Sequence, residues 1–209
     1  MSAGGILAVL NNVDAGCDRT EYEAWYQRDH MPDRLNVPGF RHARRYRCSQ
    51  GDGQDYFTFY ETDSPDVLRT PLYAERLAAP TPWTRRMMTH FRTMSRSVCH
   101  VACDLGGGIA GTAAVLGCND AIMAEGAAAR LAPLLDESGV TRVRLWLAAA
   151  DVLVNPEAAL RPGGDTSYAA ILVVEGTLGT VVRDAARAGA DALHMAGAET
   201  LYRLLYASP

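Results

Sequence analysis

The chain has 209 residues, 48% of them apolar, and a net charge of −4; this suits one large domain or two small ones and gives no reason to expect nucleic acid as a partner. All twenty basic residues are arginine, which excludes a Schiff-base lysine, a covalent pyridoxal phosphate site and a P-loop. No apolar run reaches the length of a membrane span, residues 1–13 lack the basic start of a signal peptide, and five scattered cysteines point to a reduced cytoplasmic setting.

In chain order, residues 6–13 read as a short apolar strand. Asp18 or Thr20 can cap the helix that follows, and Glu21 and Glu23 suit its first turn. The helix is expected to run to about Leu35. Tyr22, Tyr26, His30 and Arg34 are four residues apart and share a face; Trp25, Asp29 and Asp33 form a second stripe beside it. Pro32 is expected to stop or kink the helix just after His30, leaving the imidazole at a helix end. Val37-Pro38-Gly39 then turns the chain. In the strand 41–48, Arg41, Ala43, Arg45 and Arg47 alternate with His42, Arg44, Tyr46 and Cys48. Gly51-Asp52-Gly53 makes a hairpin turn into strand 56–61. Ser64 opens a second helix that runs to about Leu77, breaks at Pro80-Thr81-Pro82 and resumes over 83–91, ahead of strand 95–105.

Gly106-Gly107-Gly108 opens a linker over 106–111; it precedes a strand and not a helix, so it is a poor phosphate loop. The same order then repeats. Residues 112–118 are a strand, Asp120 caps a helix over 121–137, and Ser138-Gly139 ends it. Strand 140–149 carries Arg142, Arg144 and Trp146, echoing Arg44 and Tyr46. A long loop with Asn155-Pro156 leads to strand 167–175, a helix over 178–195 and a last strand over 199–207.

Two copies of βαββαβ make an α+β protein of two tandem ferredoxin-like units, residues 1–105 and 112–209. Each four-stranded sheet has helices on one face and an apolar second face that needs a cover. Two such sheets in one chain can cover each other, as in a fused dimeric α/β barrel. The helix 121–137 has no histidine, tryptophan or tyrosine, so the second unit reads as degenerate and a single site is expected in the first.

The run Trp25-Tyr26-x-x-Asp29-His30-Met31-Pro32, then Val37-Pro38-Gly39-Phe40 and Ala43-Arg44-Arg45-Tyr46, resembles the dimeric α/β barrel superfamily and, within it, the EthD-like proteins. The likeness covers about the first hundred residues; the second half matches in element order alone. It implies small cofactor-free enzymes, among them decarboxylases, dehydratases, isomerases and quinone-forming monooxygenases, with some haem-binding members.

The expected catalytic set is His30 as general base and then acid, with Tyr26 and Arg44 stabilising an enolate. Tyr22, Trp25, Arg45, Tyr46, Tyr60, Tyr73 and Trp83 are expected to bind a flat hydrophobic or aromatic substrate. Asp29 or Asp33 is a candidate to orient the imidazole. Against this stand plainer readings: His30 as a core histidine bonded to a carbonyl, and the arginines as a solvated strand face. Cys99-His100-x-x-Cys103 does not read as a metal site, because on a strand the two cysteines share one face and His100 takes the other. The expectation is therefore a cofactor-independent enzyme that decarboxylates, dehydrates or isomerises a small carbonyl compound, with no metal, no membrane and a homodimer as the assembly. The rivals are a cofactor-free monooxygenase and a non-catalytic binding protein, including one that holds haem on His30 or His194.

Overall fold

The computed structural model describes residues 4–150 and 155–208. The chain enters on strand β1 (Gly5–Val13) and helix α1 (Arg19–Trp25), a π turn (Tyr26–His30) and helix α2 (Met31–Leu35). Strands β2 (Phe40–Gln50) and β3 (Tyr56–Thr62) form a hairpin. After a 3₁₀ turn (Pro65–Arg69) come helices α3 (Pro71–Ala78) and α4 (Pro82–Met88) and the long strand β4 (Phe91–Gly106). The second half supplies β5 (Thr112–Cys118), α5 (Ala127–Leu131), a 3₁₀ turn (Ala132–Asp136) and β6 (Val140–Ala148). A further 3₁₀ turn (Pro156–Leu160) precedes β7 (Ala170–Gly176), α6 (Gly179–Leu193) and β8 (Thr200–Ala207).

All eight strands close into one antiparallel barrel in the order β1-β3-β2-β8-β5-β7-β6-β4. The first half contributes β4-β1-β3-β2 and the second β8-β5-β7-β6, each in ferredoxin-like order. The two sheets face each other, and their edges also pair, β2 with β8 and β4 with β6. β4 is long enough for both jobs: its first part pairs with β1 and its last part with β6. Closure removes the free strand edges that two separate sheets would expose.

Three layers of core follow from strand alternation. In β3, Tyr56 and Tyr60 face the helices of the first half, while Phe57 and Phe59 point into the barrel. The layer between the second half and its helices is filled by small apolar groups such as Ala185, Ala186, Ala190 and Leu131. Inside the barrel two ion pairs cross between the sheets. Arg44 of β2 donates to Glu175 of β7 at 2.9 and 3.0 Å, and Arg144 of β6 donates to Glu61 of β3 at 2.9 Å. They occupy equivalent positions in the two repeats, so each sheet gives one arginine and takes one.

Several sequence expectations change here. Pro32 does not stop the first helix: the backbone runs on to Leu35. The preceding turn widens instead, with the Met31 N–H donating to the Tyr26 carbonyl; this relieves the clash a proline ring makes with the carbonyl four residues back. The second helix is three pieces, and Thr70 and Thr81, not Ser64, accept the capping hydrogen bonds. The helix expected over 121–137 is helical only from Ala127, because Gly126 sits at φ 69° ahead of it, and Pro133 shifts the rest to a 3₁₀ turn. Cys99 and Cys103 lie on opposite faces, in the barrel and in the second-half layer, because β4 shifts register between Val101 and Cys103. Arg44 and Arg45 are buried and not solvated. At the turn into β2, Gly39 has φ 95° and a Cβ there would meet Val67 at 2.6 Å, so the turn requires glycine.

Candidate active site

The Asp18 carboxylate starts α1 by accepting from the backbone N–H groups of Thr20 and Glu21 at 2.8 and 3.1 Å. The π turn then brings side chains five residues apart onto one face. The imidazole of His30 lies 4.5 Å from the Trp25 indole and 5.2 Å, edge on, from the Tyr26 ring. Trp25 therefore joins the His30 face, in place of the second stripe expected for it. His30 is buried, yet among the described residues neither ring nitrogen has a hydrogen-bond partner. Asp29 accepts from Thr81 at 2.5 Å and Asp33 pairs with Arg34 and Arg76, so neither orients the ring. Burial, then the nearby charges of Arg34, Arg45 and Arg161, hold the imidazole pKa well below its usual value. His30 is consequently a neutral base at physiological pH.

His30, Tyr26, Tyr60 and Tyr73 line one cavity between the first helix and the sheet, with Arg34, Arg96, Met88, Met94 and Phe91 around it. Its free volume of about 30 Å³ holds one or two waters. The Tyr60 hydroxyl is buried there without a partner among the described residues, and burial pushes its pKa well above the usual tyrosine value. The remaining wall comes from the second half: Asn155, Glu157 and Arg161 of the β6–β7 connection. Glu157, buried, accepts from the equally buried Arg34, while Arg161 pairs with Asp165.

The expected site residues divide sharply. His30, Tyr26, Tyr60 and Tyr73 meet at the cavity. Trp25 backs His30 and donates to Thr84 at 3.0 Å; Tyr22 is packed behind, accepting from Asn11 at 3.0 Å; Trp83 packs at the edge of the same layer. Arg45 is fully buried in a cage of tyrosine rings, 3.5 Å from Tyr26, 4.4 Å from Tyr56 and 4.8 Å from Tyr22, with both Glu23 oxygens accepting from it. It braces the aromatic layer and does not line the cavity. Arg44 and Tyr46 are corrections: they alternate with Arg45 and so point into the barrel, where Glu175 engages Arg44. Neither can touch a group held by His30. Residues missed in the sequence are Arg96 and the wall formed by Asn155, Glu157 and Arg161. The available signal was the length of the loop between β6 and β7, since connections longer than ~12–15 residues are uncommon and usually functional.

Among the described residues, no group of three or more His, Cys, Asp or Glu is placed to hold a metal. The arrangement can take a proton from carbon or oxygen, hold the anion under a tyrosine hydroxyl among guanidinium charges, and return the proton.

The chain superposes over 100% of its length on an anthrone oxidase-like protein, covering 93% of that protein, with TM-score 0.65 and 11% identity. A chlorite dismutase mutant from Candidatus Nitrospira defluvii matches over 99% and 93% of the two chains, TM-score 0.59, 10% identity. A haem-binding protein from Thermus thermophilus matches over 99% and 92%, TM-score 0.58, 9% identity. The fold is the dimeric α/β barrel. No family model and no curated protein matches the sequence.

Some dimeric α/β barrels carry haem, and haem makes demands that the two candidate ligands do not meet. A metal-bound histidine normally donates its second N–H to an acceptor; His30 has none and is ringed by cations. The cavity of about 30 Å³ is far below the ~300–1,000 Å³ of a cofactor site. His194 is exposed at the left-handed end of α6, over a layer already filled by Ala190 and Leu193. These residues do not fit haem.

Proposed function

We propose that this barrel is a cofactor-independent enzyme that forms an enolate from a small hydrophobic or aromatic carbonyl compound, with His30 as the base. The observation that carries the reading is a buried, neutral imidazole with no hydrogen-bond partner among the described residues, facing the same cavity as the Tyr60 hydroxyl, which also has none among them. His30 takes the proton next to the carbonyl. The enolate oxygen accepts from Tyr60, and the surrounding guanidinium charges favour the anion. Returning the proton at another carbon gives isomerisation; expelling a β-hydroxyl, which leaves as water with the proton His30 has taken, gives dehydration; and a β-keto acid reaches the same enolate by breaking its bond to CO₂, after which a proton delivered through His30 quenches it. The site belongs to residues 1–105, completed by the 155–161 wall of the otherwise degenerate second half. EthD-like membership, a cytoplasmic setting and a homodimer belong to the same proposal; a homodimer leaves this site untouched, because the barrel closes within one chain.

A second reading shares the enolate. Leu7, Val9, Met88, Phe91 and Met94 give the cavity an apolar wall suited to O₂, and the anthrone oxidase-like fold match supports it. The enolate would transfer electrons to O₂, forming a C–O bond and a hydroperoxide that loses water to leave a new carbonyl.

The test is deuterium exchange of α-protons in D₂O, followed by NMR over a panel of one-ring aromatic β-keto acids, α-keto acids and enol lactones, with and without O₂. Exchange or turnover that requires His30 is expected. A His30→Gln variant that exchanges as fast as the wild type overturns the reading.

A further inference from the structure

A second pocket of about 120 Å³ adjoins the cavity at the surface, lined by Leu68, Arg69, Tyr73, Leu77, Arg96 and Pro156. Tyr73 and Arg96 belong to both spaces. They form the partition, with Arg96 Nη2 donating to the Tyr73 hydroxyl at 3.2 Å. The volume approaches the ~150 Å³ that accepts a benzene ring, and Leu68, Leu77 and the Tyr73 ring give it apolar walls.

The charges at the partition are unbalanced. Arg34 is matched by Asp33 and Glu157, and Arg161 by Asp165. Arg96 has no carboxylate partner among the described residues; of its five N–H donors one is engaged, by a neutral hydroxyl. Its backbone is held by its N–H donating to the Thr166 carbonyl at 2.8 Å, and its guanidinium is held at the partition by the Tyr73 hydroxyl. No carboxylate among the described residues lines the outer pocket. A half-buried guanidinium with open donors beside an apolar, ring-sized space matches one ligand chemistry, an aromatic carboxylate engaged through paired N–H···O bonds.

We infer that the two spaces are one substrate site and that the substrate is a one-ring aromatic acid that also carries a ketone, its ring in the outer pocket, its carboxylate on Arg96 in place of the Tyr73 hydroxyl, and its carbonyl and reacting carbon in the inner cavity. This deepens the proposed function and rests on it for the reaction, but the recognition step is independent of His30. In isomerisation, dehydration or oxygenation the carboxylate stays on the substrate, so Arg96 holds it through the reaction.

The test is binding, measured by isothermal titration calorimetry with phenylacetate and its neutral counterpart phenylacetamide. The wild type is expected to prefer phenylacetate by about tenfold or more, the worth of a charge-assisted hydrogen bond. Arg96→Gln is expected to bind both probes alike, while Arg203→Gln, at an exposed position on β8, keeps the preference. Ala74→Trp, which fills the outer pocket from the exposed side of α3, is expected to weaken both probes together and checks the site without touching Arg96. An unchanged preference in Arg96→Gln, equal binding of the two probes by the wild type, or wild-type affinity in Ala74→Trp overturns the inference. His30→Gln is expected to keep the preference. Loss of the preference alongside intact His30-dependent exchange removes the substrate class alone, and the converse removes the base alone.

Discussion

The imidazole of His30 lies 4.5 Å from the indole of Trp25, five residues earlier on the same helix. An unbroken α-helix puts such residues on different faces, because five steps turn through well over one repeat of 3.6 residues. The π turn over Tyr26–His30 restores the overlap. It presses the ring against aromatic carbon and leaves both nitrogens without a hydrogen-bond partner among the described residues, as the proposed base requires.

Replacing His30 should therefore separate chemistry from packing. His30→Ala should lower turnover by about a hundredfold to ten-thousandfold, the range for losing a general acid–base group. It should also cost stability, because the ring contacts two aromatic neighbours, each worth about 0.5–1.5 kcal/mol. Thermal unfolding should show a fall in Tm, and kcat on the folded protein should show the larger effect. Wild-type kcat in a folded His30→Ala would remove His30 from the mechanism.

The pH dependence follows from the lowered imidazole pKa. On the proposed mechanism the neutral form acts as the base, so activity should persist below the ordinary histidine value of ~6.5 and fall only at the lower pKa of the folded protein. In the unfolded chain the same ring protonates at about 6.5. Stability linked to His30 is thus present above that value and is lost as pH falls towards the folded pKa. Tm measured against pH for the wild type and His30→Gln should differ in slope within that acid window and run parallel above neutrality.

Tyr60→Phe makes an opposite pair of predictions. The hydroxyl is buried without a partner among the described residues, so removing it should leave Tm unchanged or raise it by a few degrees, about 2–4 °C per kcal/mol in a chain of this size. If the same hydroxyl donates to the enolate, kcat should fall by about a hundredfold. A variant that is more stable and equally active would show that Tyr60 takes no part.

Arg44→Met should be strongly destabilising, about 3–5 kcal/mol, because it strands the buried Glu175 carboxylate inside the barrel. The double change Arg44→Met with Glu175→Leu should recover most of that loss. In both variants kcat of the folded enzyme should match the wild type, since Arg44 faces away from His30. Urea denaturation with paired activity assays tests this; a kcat loss that persists in the stable double variant would return Arg44 to the site.

Glu157→Gln should loosen the wall over the cavity, because the carboxylate it replaces is what Arg34 holds. Hydrogen exchange of the 155–161 amides should accelerate while the β-strand amides stay protected. Unchanged exchange would mean that the backbone contacts of Thr166 with Met94 and Arg96 suffice to hold the segment.

Sequence by itself determined the repeat, the layers and the face of the first helix. Hydrophobic periodicity and turn residues are local, so the doubled βαββαβ order, and from it the barrel, could be read from the chain. Tyr26 and His30 stayed neighbours because residues four apart meet in a turn of either width, whereas the widened turn carried Trp25, five residues before His30, onto the same face. Alternation in 41–48 separated Arg44 and Tyr46 from Arg45, but it could not say which set met the helices. Both faces of β2 are buried, one under aromatic rings and one against the opposite sheet, and apolar pattern distinguishes covers only when one of them is water. Tertiary structure alone decided that Arg44 answers Glu175 across the barrel, that the helix swallows Pro32 by widening before it, and that Glu157, 123 residues from Arg34, closes the cavity. Each of these depends on charges and backbone groups that meet only after the two halves have closed, and no local pattern encodes the distance between residues that far apart in the chain.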